Sequence, residues 1–532
     1  APSGAAPTGY IVYRDDGDDT AMATPSIVAY DGTDSAALTT AVTGLIGGTT
    51  YTYMVAALSE AGVGDVSGES TQSTSPATPL GLSSVTQTST SISLSWSASV
   101  VSTGGSAVTS YKVYSNDGTS ADAALSATAV HTTTDGTTTT ATIDNLSPGL
   151  LYGFAVSAVS AAGEGEQSTV LAQSSSPGAP ETGPTSSLQT STSISLSWTA
   201  PLSDGSSGAD STGYRLYDVG GASAVVLYSG SATAFEQTGL TAGTSYSYEV
   251  SAVSAAGESP TTSPLAQYTA PAAPTTLTSS AWTTTSFQID WVAPTVDASA
   301  PAVSGYTLYE RVTYEMHDVS TSGAVPDDVL QTMLSESTDT VVVDTVAYDG
   351  HGNTAVSTTL SGLTGGVSYN YVVAARSDSG EGDRSAVMSA STSPPAPGTL
   401  ASVSQTTTSI TLSWSAPVVT TGVAATGYNL YIDDGSTGTP STLVTCSGAA
   451  ALDTTCTASG LTGGLTYSFK VSALSTAGES DASSVFAQST SPAAVAGSMV
   501  FSSVTMTSMA LTWTAPSGAA PTGYIVYRDD GD

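Results

Sequence analysis

Positive charge is nearly missing from this chain. Its 532 residues hold 8 Lys and Arg against 44 Asp and Glu, a net charge of −36. Such a surface repels phosphate groups, which excludes nucleic acid as a partner and disfavours anionic membrane surfaces. Histidine is as scarce: His131, His317 and His351 stand in unrelated Thr-, Asp- or Gly-rich surroundings. There is no HExxH, no phosphate-binding loop and no Gly-x-Ser-x-Gly elbow, so the segment reads as no enzyme and implies no resident cofactor. No stretch approaches the ~18 consecutive apolar residues that a membrane helix needs, so no membrane insertion is expected in this segment. Cysteine is limited to Cys446 and Cys456, ten positions apart, with no further Cys or nearby His to complete a zinc site. Two readings stay open for that pair. A local disulfide would point to an oxidising compartment; the other reading is two buried free thiols.

What the chain does have is packing material and repetition. Apolar residues make up 39%, and aromatics occur throughout, which favours packed domains over disorder. Five segments end in Trp: SISLSW (91–96), SISLSW (193–198), SFQIDW (286–291), SITLSW (409–414) and SMALTW (508–513). Their period of two puts Ile92, Leu94 and Trp96 on one face of a strand and the serines on the other. A second signature follows each: TSYKVY (109–114), TGYRLY (212–217), SGYTLY (304–309), TGYNLY (426–431) and TGYIVY (8–13 and 522–527). Lys112 and Arg215 take the outward positions, which turns Tyr111, Val113, Tyr214 and Leu216 inward. The third signature has the form Leu-x-x-Gly-x-x-Tyr followed by alternating small and apolar residues, as in LSPGLLYGFAVSAVSAAGE (146–164). Its spacing marks a tyrosine corner, in which a Tyr hydroxyl bonds to backbone just upstream, at Tyr51, Tyr152, Tyr246, Tyr369 and Tyr467.

Taken together, the strand ending in Trp, the Gly-Tyr-x-apolar-Tyr strand and the corner strand resemble the fibronectin type III family. The resemblance implies an all-β fold, a string of seven-stranded β-sandwiches, with Trp96, Trp198, Trp291, Trp414 and Trp513 and the five corner tyrosines in the cores. In the family's lettering the three signatures are strands B, C and F. Pro- and Ser-rich joints such as STSPATP (73–79) and SSSPGAP (174–180) separate the units. They divide the chain at 1–77 (strand C onward), 78–178, 179–272, 273–395, 396–493 and 494–532 (strands A to C). No Arg-Gly-Asp motif is present.

Residues 1–18, APSGAAPTGYIVYRDDGD, recur unchanged as 515–532, an offset of 514 residues. Each end reads as half a sandwich, and overlaid on the shared stretch the halves make one whole. Five domains then fill one 514-residue period, and the chain reads as a window on a longer polymer. Its partners would be copies of itself, joined either in a continuous chain or by head-to-tail strand exchange. The function expected from this is a structural component of an extracellular filament, hair or stalk. The alternative is a spacer or binding-module array of a cell-surface adhesin or a secreted carbohydrate-active enzyme.

Three further features are candidates for chemistry. The acidic turn RDDGDD offers Asp15, Asp16, Asp18 and Asp19 as calcium ligands, against the plainer reading of Asp-Gly as hairpin chemistry on a solvated loop. Asn145 in Asn-Leu-Ser is the one glycosylation sequon, and the Ser/Thr/Pro joints resemble O-glycosylated stalks, so glycans are possible partners. The 273–395 unit carries an insertion near 311–340. There Pro326 with Asp327 and Asp328 suits a helix start, and Val329, Leu330, Met333 and Leu334 form a short apolar stripe.

Overall fold

The computed structural model describes residues 6–17, 27–118, 120, 123–202, 210–315, 340–446, 450–518 and 520–529. The chain forms two compact units. One runs to Gln267 apart from Gln189–Thr192 and Leu240–Thr244, and those two segments belong with the second unit, from Tyr268 onward. All regular structure among the described residues is β-strand.

The sandwich of residues 80–174 shows how the pattern becomes a fold. Strands A (Leu80–Gln87), B (Ile92–Ser97) and E (Thr140–Ile143) form a three-stranded sheet in the order E-B-A. Strands C (Val108–Ser115), C′ (His131–Thr132) and F (Leu151–Ser160) form the second sheet. Strand G completes it in two pieces, Gly163–Glu164 and Leu171–Ser174. The register sets Ile92 opposite Ile143 and Leu94 opposite Ala141, so one face of B and E is apolar throughout. On the facing sheet Val113 pairs with Val156 and Tyr111 with Ala158. Ile92, Leu94, Tyr111, Val113, Phe154 and Val156 are fully buried between the two sheets. Each such side chain stabilises the fold by about 1.5–3 kcal/mol relative to leaving it in water.

The plan repeats. Three-stranded and five-stranded sheets alternate through residues 185–268, 275–391 and 401–489. In each complete sandwich the Trp of strand B meets the first Tyr of strand C. The ring centroids are 5.5, 5.9, 5.3 and 5.4 Å apart for Trp96–Tyr111, Trp198–Tyr214, Trp291–Tyr306 and Trp414–Tyr428. All four indole Nε1 atoms are buried without a hydrogen-bond partner.

In the sandwich of residues 275–391, strands C (Gly305–Glu315) and C′ (Thr340–His351) extend as a long antiparallel pair, in register from Gly305–His351 to Glu315–Thr340. The insertion expected near 311–340 thus begins as continued strand. Its interior, with Pro326, Val329 and Leu334, lies outside the described residues.

The two end segments differ from this plan. The first five-stranded sheet, built on Gly9–Arg14 and Thr50–Ser59, faces no three-stranded partner among the described residues. Its Val55 is 40% exposed, where the equivalent Val156 is fully buried. At the other end Ala496–Ser502 pairs, among the described residues, only with Ala510–Thr514. Trp513 is half-buried there and still meets Tyr524 at 5.2 Å. The repeated GYIVYR is strand at 9–14 and irregular at 523–528. In the first copy it pairs with strand F; a strand's backbone groups need such a partner, which local propensity alone does not supply.

Candidate functional site

The outer face of each complete five-stranded sheet carries a polar cluster built from three strands. Alternation sends Lys112 and Tyr114 of strand C and Ser157 of strand F to this face, and the tight F–G turn brings Glu164 back over them. Lys112 Nζ lies 2.7 Å from Glu164 Oε2 and Ser157 Oγ donates to Oε1 at 2.6 Å; the Tyr114 hydroxyl donates to the same oxygen. Burial alone would raise the Glu164 carboxyl, but the bonds from Lys112, Ser157 and Tyr114 hold it down at about 2. Burial, then the bond to Glu164, pushes the Tyr114 hydroxyl up.

The same hub recurs in the other complete sandwiches. Arg215, Tyr217 and Ser251 converge on Glu258. Tyr309 and Arg376 bind Glu381 at 2.6 and 2.8 Å. Asn429, Tyr431 and Ser472 converge on Glu479. Of the eight cationic side chains, Lys112, Arg215, Arg311, Arg376 and Arg384 sit in ion pairs. Arg14 and Lys470 lie over Tyr51 and Tyr431. The scarce positive charge therefore serves the sheet faces. This Glu hub escaped the reading of the sequence, although its signal, the Gly-Glu pair that closes 146–164, 240–258, 363–381 and 461–479 and an outward second Tyr, was present in the repeats.

In each acidic turn the first polar residue faces inward and the Asp beside it faces solvent. Asp433 is buried: its Oδ1 accepts from Gly435 N and Ser468 N at 3.1 and 3.0 Å, and its Oδ2 from Gly438 N at 2.9 Å. Asn116 does the same for Gly118 N and Gly153 N at 3.1 and 3.0 Å. The first residue of each turn thus caps backbone amides of the turn and of strand F, which is why it turns inward. Asp15 holds the equivalent place, buried and bonded to Gly17 N at 3.2 Å, and Asp16 beside it is exposed. Asp18 and Asp19 lie outside the described residues. Among the described residues no group of three or more His, Cys, Asp or Glu side chains could hold a metal ion.

The remaining expected positions fall as follows. Cys446 and Cys456 form a disulfide that ties the segment after Thr442–Leu443 to the E strand Thr455–Ser459. Ile46 N, Ser147 N, Thr364 N and Thr462 N donate to the hydroxyls of Tyr51, Tyr152, Tyr369 and Tyr467 at 2.9, 2.7, 2.9 and 2.9 Å. Tyr246 stands half-buried at the same point of its sandwich. Asn145 is exposed with a φ of 60°, at a position held elsewhere by Gly44, Gly239, Gly362 and Gly460, all with positive φ. Asn tolerates that left-handed backbone better than other side chains, which accounts for it without a sugar. His131 is half-buried on C′, His351 is exposed, and His317 lies outside the described residues.

Comparison with known proteins agrees with this architecture. The family model for the fibronectin type III domain matches residues 77–174, 178–268, 272–391 and 394–489. The chain is similar to Exoglucanase B of Cellulomonas fimi, with 30% identity over 325 residues, 57% of this chain and 24% of that protein. It is similar to Endoglucanase B of Cellulomonas fimi, with 31% identity over 308 residues, 54% of this chain and 25% of that protein. Chitinase A1 of Niallia circulans is 34% identical over 193 residues, 35% of this chain and 24% of that protein. The matches thus span about a quarter of the length of each relative. With four matched domains and four complete sandwiches of the expected strand order, the chain belongs to the fibronectin type III domain family.

Proposed function

We propose that this chain is a spacer array of a secreted carbohydrate-active enzyme, working by distance and orientation and carrying no catalysis itself. The observation that carries this reading is the set of relatives. An exoglucanase, an endoglucanase and a chitinase each resemble the chain over only about a quarter of their own length. A run of modules shared among enzymes named for different activities fits a common accessory part. The polar outer faces fit it too: the outward Tyr hydroxyls of strand C are engaged by Glu within each sandwich. The disulfide supports a location outside the cell, where such bonds persist. Sedimentation with crystalline cellulose and with chitin tests the reading. A spacer stays in the supernatant, and saturable binding to either polysaccharide would replace it with a binding-module array.

One observation favours a second reading. The unchanged 18-residue repeat at an offset of 514 residues fits five-domain blocks strung into an extracellular filament or stalk. A denaturing gel of the native protein separates the forms of that filament: very large bands mean a continuous chain, and bands near 50 kDa mean exchanged subunits.

A further inference from the structure

Neighbouring sandwiches within each unit meet through the same small set of residues. In the first unit Ser176 Oγ, in the joint SSSPGAP, donates to the carbonyl of Ala256 in the F–G turn of the next sandwich at 2.9 Å. In the second unit Ser393 Oγ donates to the carbonyl of Ala477 at 2.6 Å. Both serines are fully buried, although composition marks their segments as linkers. The next residue of each turn is glycine with φ of 120° at Gly257 and 98° at Gly478, and a Cβ on either would press on the serine hydroxyl. Gly163 stands in the same relation to Ser75, and a Cβ on Gly165 would collide with the carbonyl of Pro76. Glycine here supplies both the left-handed backbone and the close approach.

At the joints 73–79 and 391–397 a second contact lies apart from the first. The B–C loop of the following sandwich reaches the glycines of the preceding tyrosine corner. Ser102 N and Oγ both reach Gly48 O at 3.1 Å, and Thr50 Oγ1 returns a bond to Gly104 O at 2.7 Å. In the second unit Gly422 N donates to Gly366 O at 3.0 Å and Ser368 N to Thr421 Oγ1 at 3.2 Å. The Thr284 hydroxyl also donates to the Asp481 carboxylate across that joint. One contact would leave a pivot, whereas two separated contacts restrain both bend and rotation.

We infer that, inside each unit, the F–G turn of the following sandwich is a docking surface whose partner is the Ser-Pro joint before it. Together with the B–C loop contact it locks neighbouring sandwiches of a unit in one orientation. This deepens the spacer reading and rests on it for its purpose, since a spacer holds a distance only where its joints resist bending. The geometry of the lock is independent of that reading.

The test uses the full chain with spin labels at Thr359→Cys and Ser459→Cys, exposed E-strand positions of the sandwiches on either side of Ser393, where both contacts are present. The native cysteines are paired and take no label. Pulsed dipolar spectroscopy of this chain gives one narrow distance peak. Ser393→Leu, or two glycines inserted after Pro394, widens the distribution by about twofold or more, because a freed joint behaves as a flexible linker. The insertion replaces no residue, so it decides the matter if the leucine variant lowers the melting temperature. A parent distribution as wide as that of the insertion variant overturns the lock. Binding to cellulose or chitin would sink the spacer reading and leave the lock standing.

Discussion

Replacing Glu164 by Ala removes the centre of one outer-face cluster and nothing from the core. Three donors lose their acceptor: Lys112 Nζ at 2.7 Å, Ser157 Oγ at 2.6 Å and the Tyr114 hydroxyl. The Lys112 and Glu164 side chains are 35% and 31% exposed, so solvent screening leaves the ion pair about 0.5 kcal/mol. The hydroxyl bonds go to a charged acceptor from largely buried donors and contribute about 0.7 kcal/mol each. The expected loss is therefore about 2 kcal/mol, local to one sandwich. The assay is native-state hydrogen exchange read by mass spectrometry. Peptides from strand F, residues 151–160, exchange about 30-fold faster in the variant, while those from residues 466–475 of another sandwich are unchanged. The pH dependence has a definite sign. The folded-state pKa is held at about 2, below the unfolded value of about 4.3. The cluster's stabilisation is thus complete above the unfolded value and is lost as the pH falls through about 2. The difference in melting temperature between parent and variant accordingly shrinks from pH 7 to pH 2. Exchange in 151–160 within about threefold of the parent would refute this reasoning, as would an equal change in 466–475.

Other substitutions probe the remaining supports. Tyr467→Phe leaves Thr462 N without its acceptor at the corner, so denaturant unfolding of that sandwich shows a loss of about 1–2 kcal/mol. Replacing Cys446 and Cys456 together by Ala opens a short loop, costs about 2.5 kcal/mol by loop-closure entropy, and lowers one thermal transition without shifting the others. Asp433→Ala uncaps Gly435 N, Gly438 N and Ser468 N and costs about 2 kcal/mol by the same denaturant assay; Asp434→Ala uncaps Ser436 N and Thr437 N, which water can reach, and costs less. Millimolar calcium leaves the melting profile of the chain unchanged if capping is the whole task of these turns, and a rise in one transition would assign a cation to RDDGDD.

The fold was legible because each signature carries its own physical constraint. Period two in SISLSW places Ile92, Leu94 and Trp96 inward, and Leu146 to Tyr152 spans a corner that only a Tyr hydroxyl can close. Polar groups were harder to read. Asp433 looked like turn chemistry in water because the partner that fixes it inward, Ser468 N, comes from a strand more than thirty residues away. Glu164 was hidden for a similar reason, since its role depends on three strands converging after folding. The joints misled by composition. Ser176 and Ser393 sit in Ser-Pro segments that resemble open linkers, yet both are buried by a turn some 80 residues further on. The identical GYIVYR segments, strand once and irregular once, show how far strand formation depends on a neighbour.

Peptide mapping of the native polypeptide, as recovered from its source, tests the central proposal most directly. The spacer account predicts peptides from a polysaccharide-hydrolysing module covalently continuous with this array. A native polypeptide made of nothing but further copies of the 514-residue block would contradict it and leave the filament in its place.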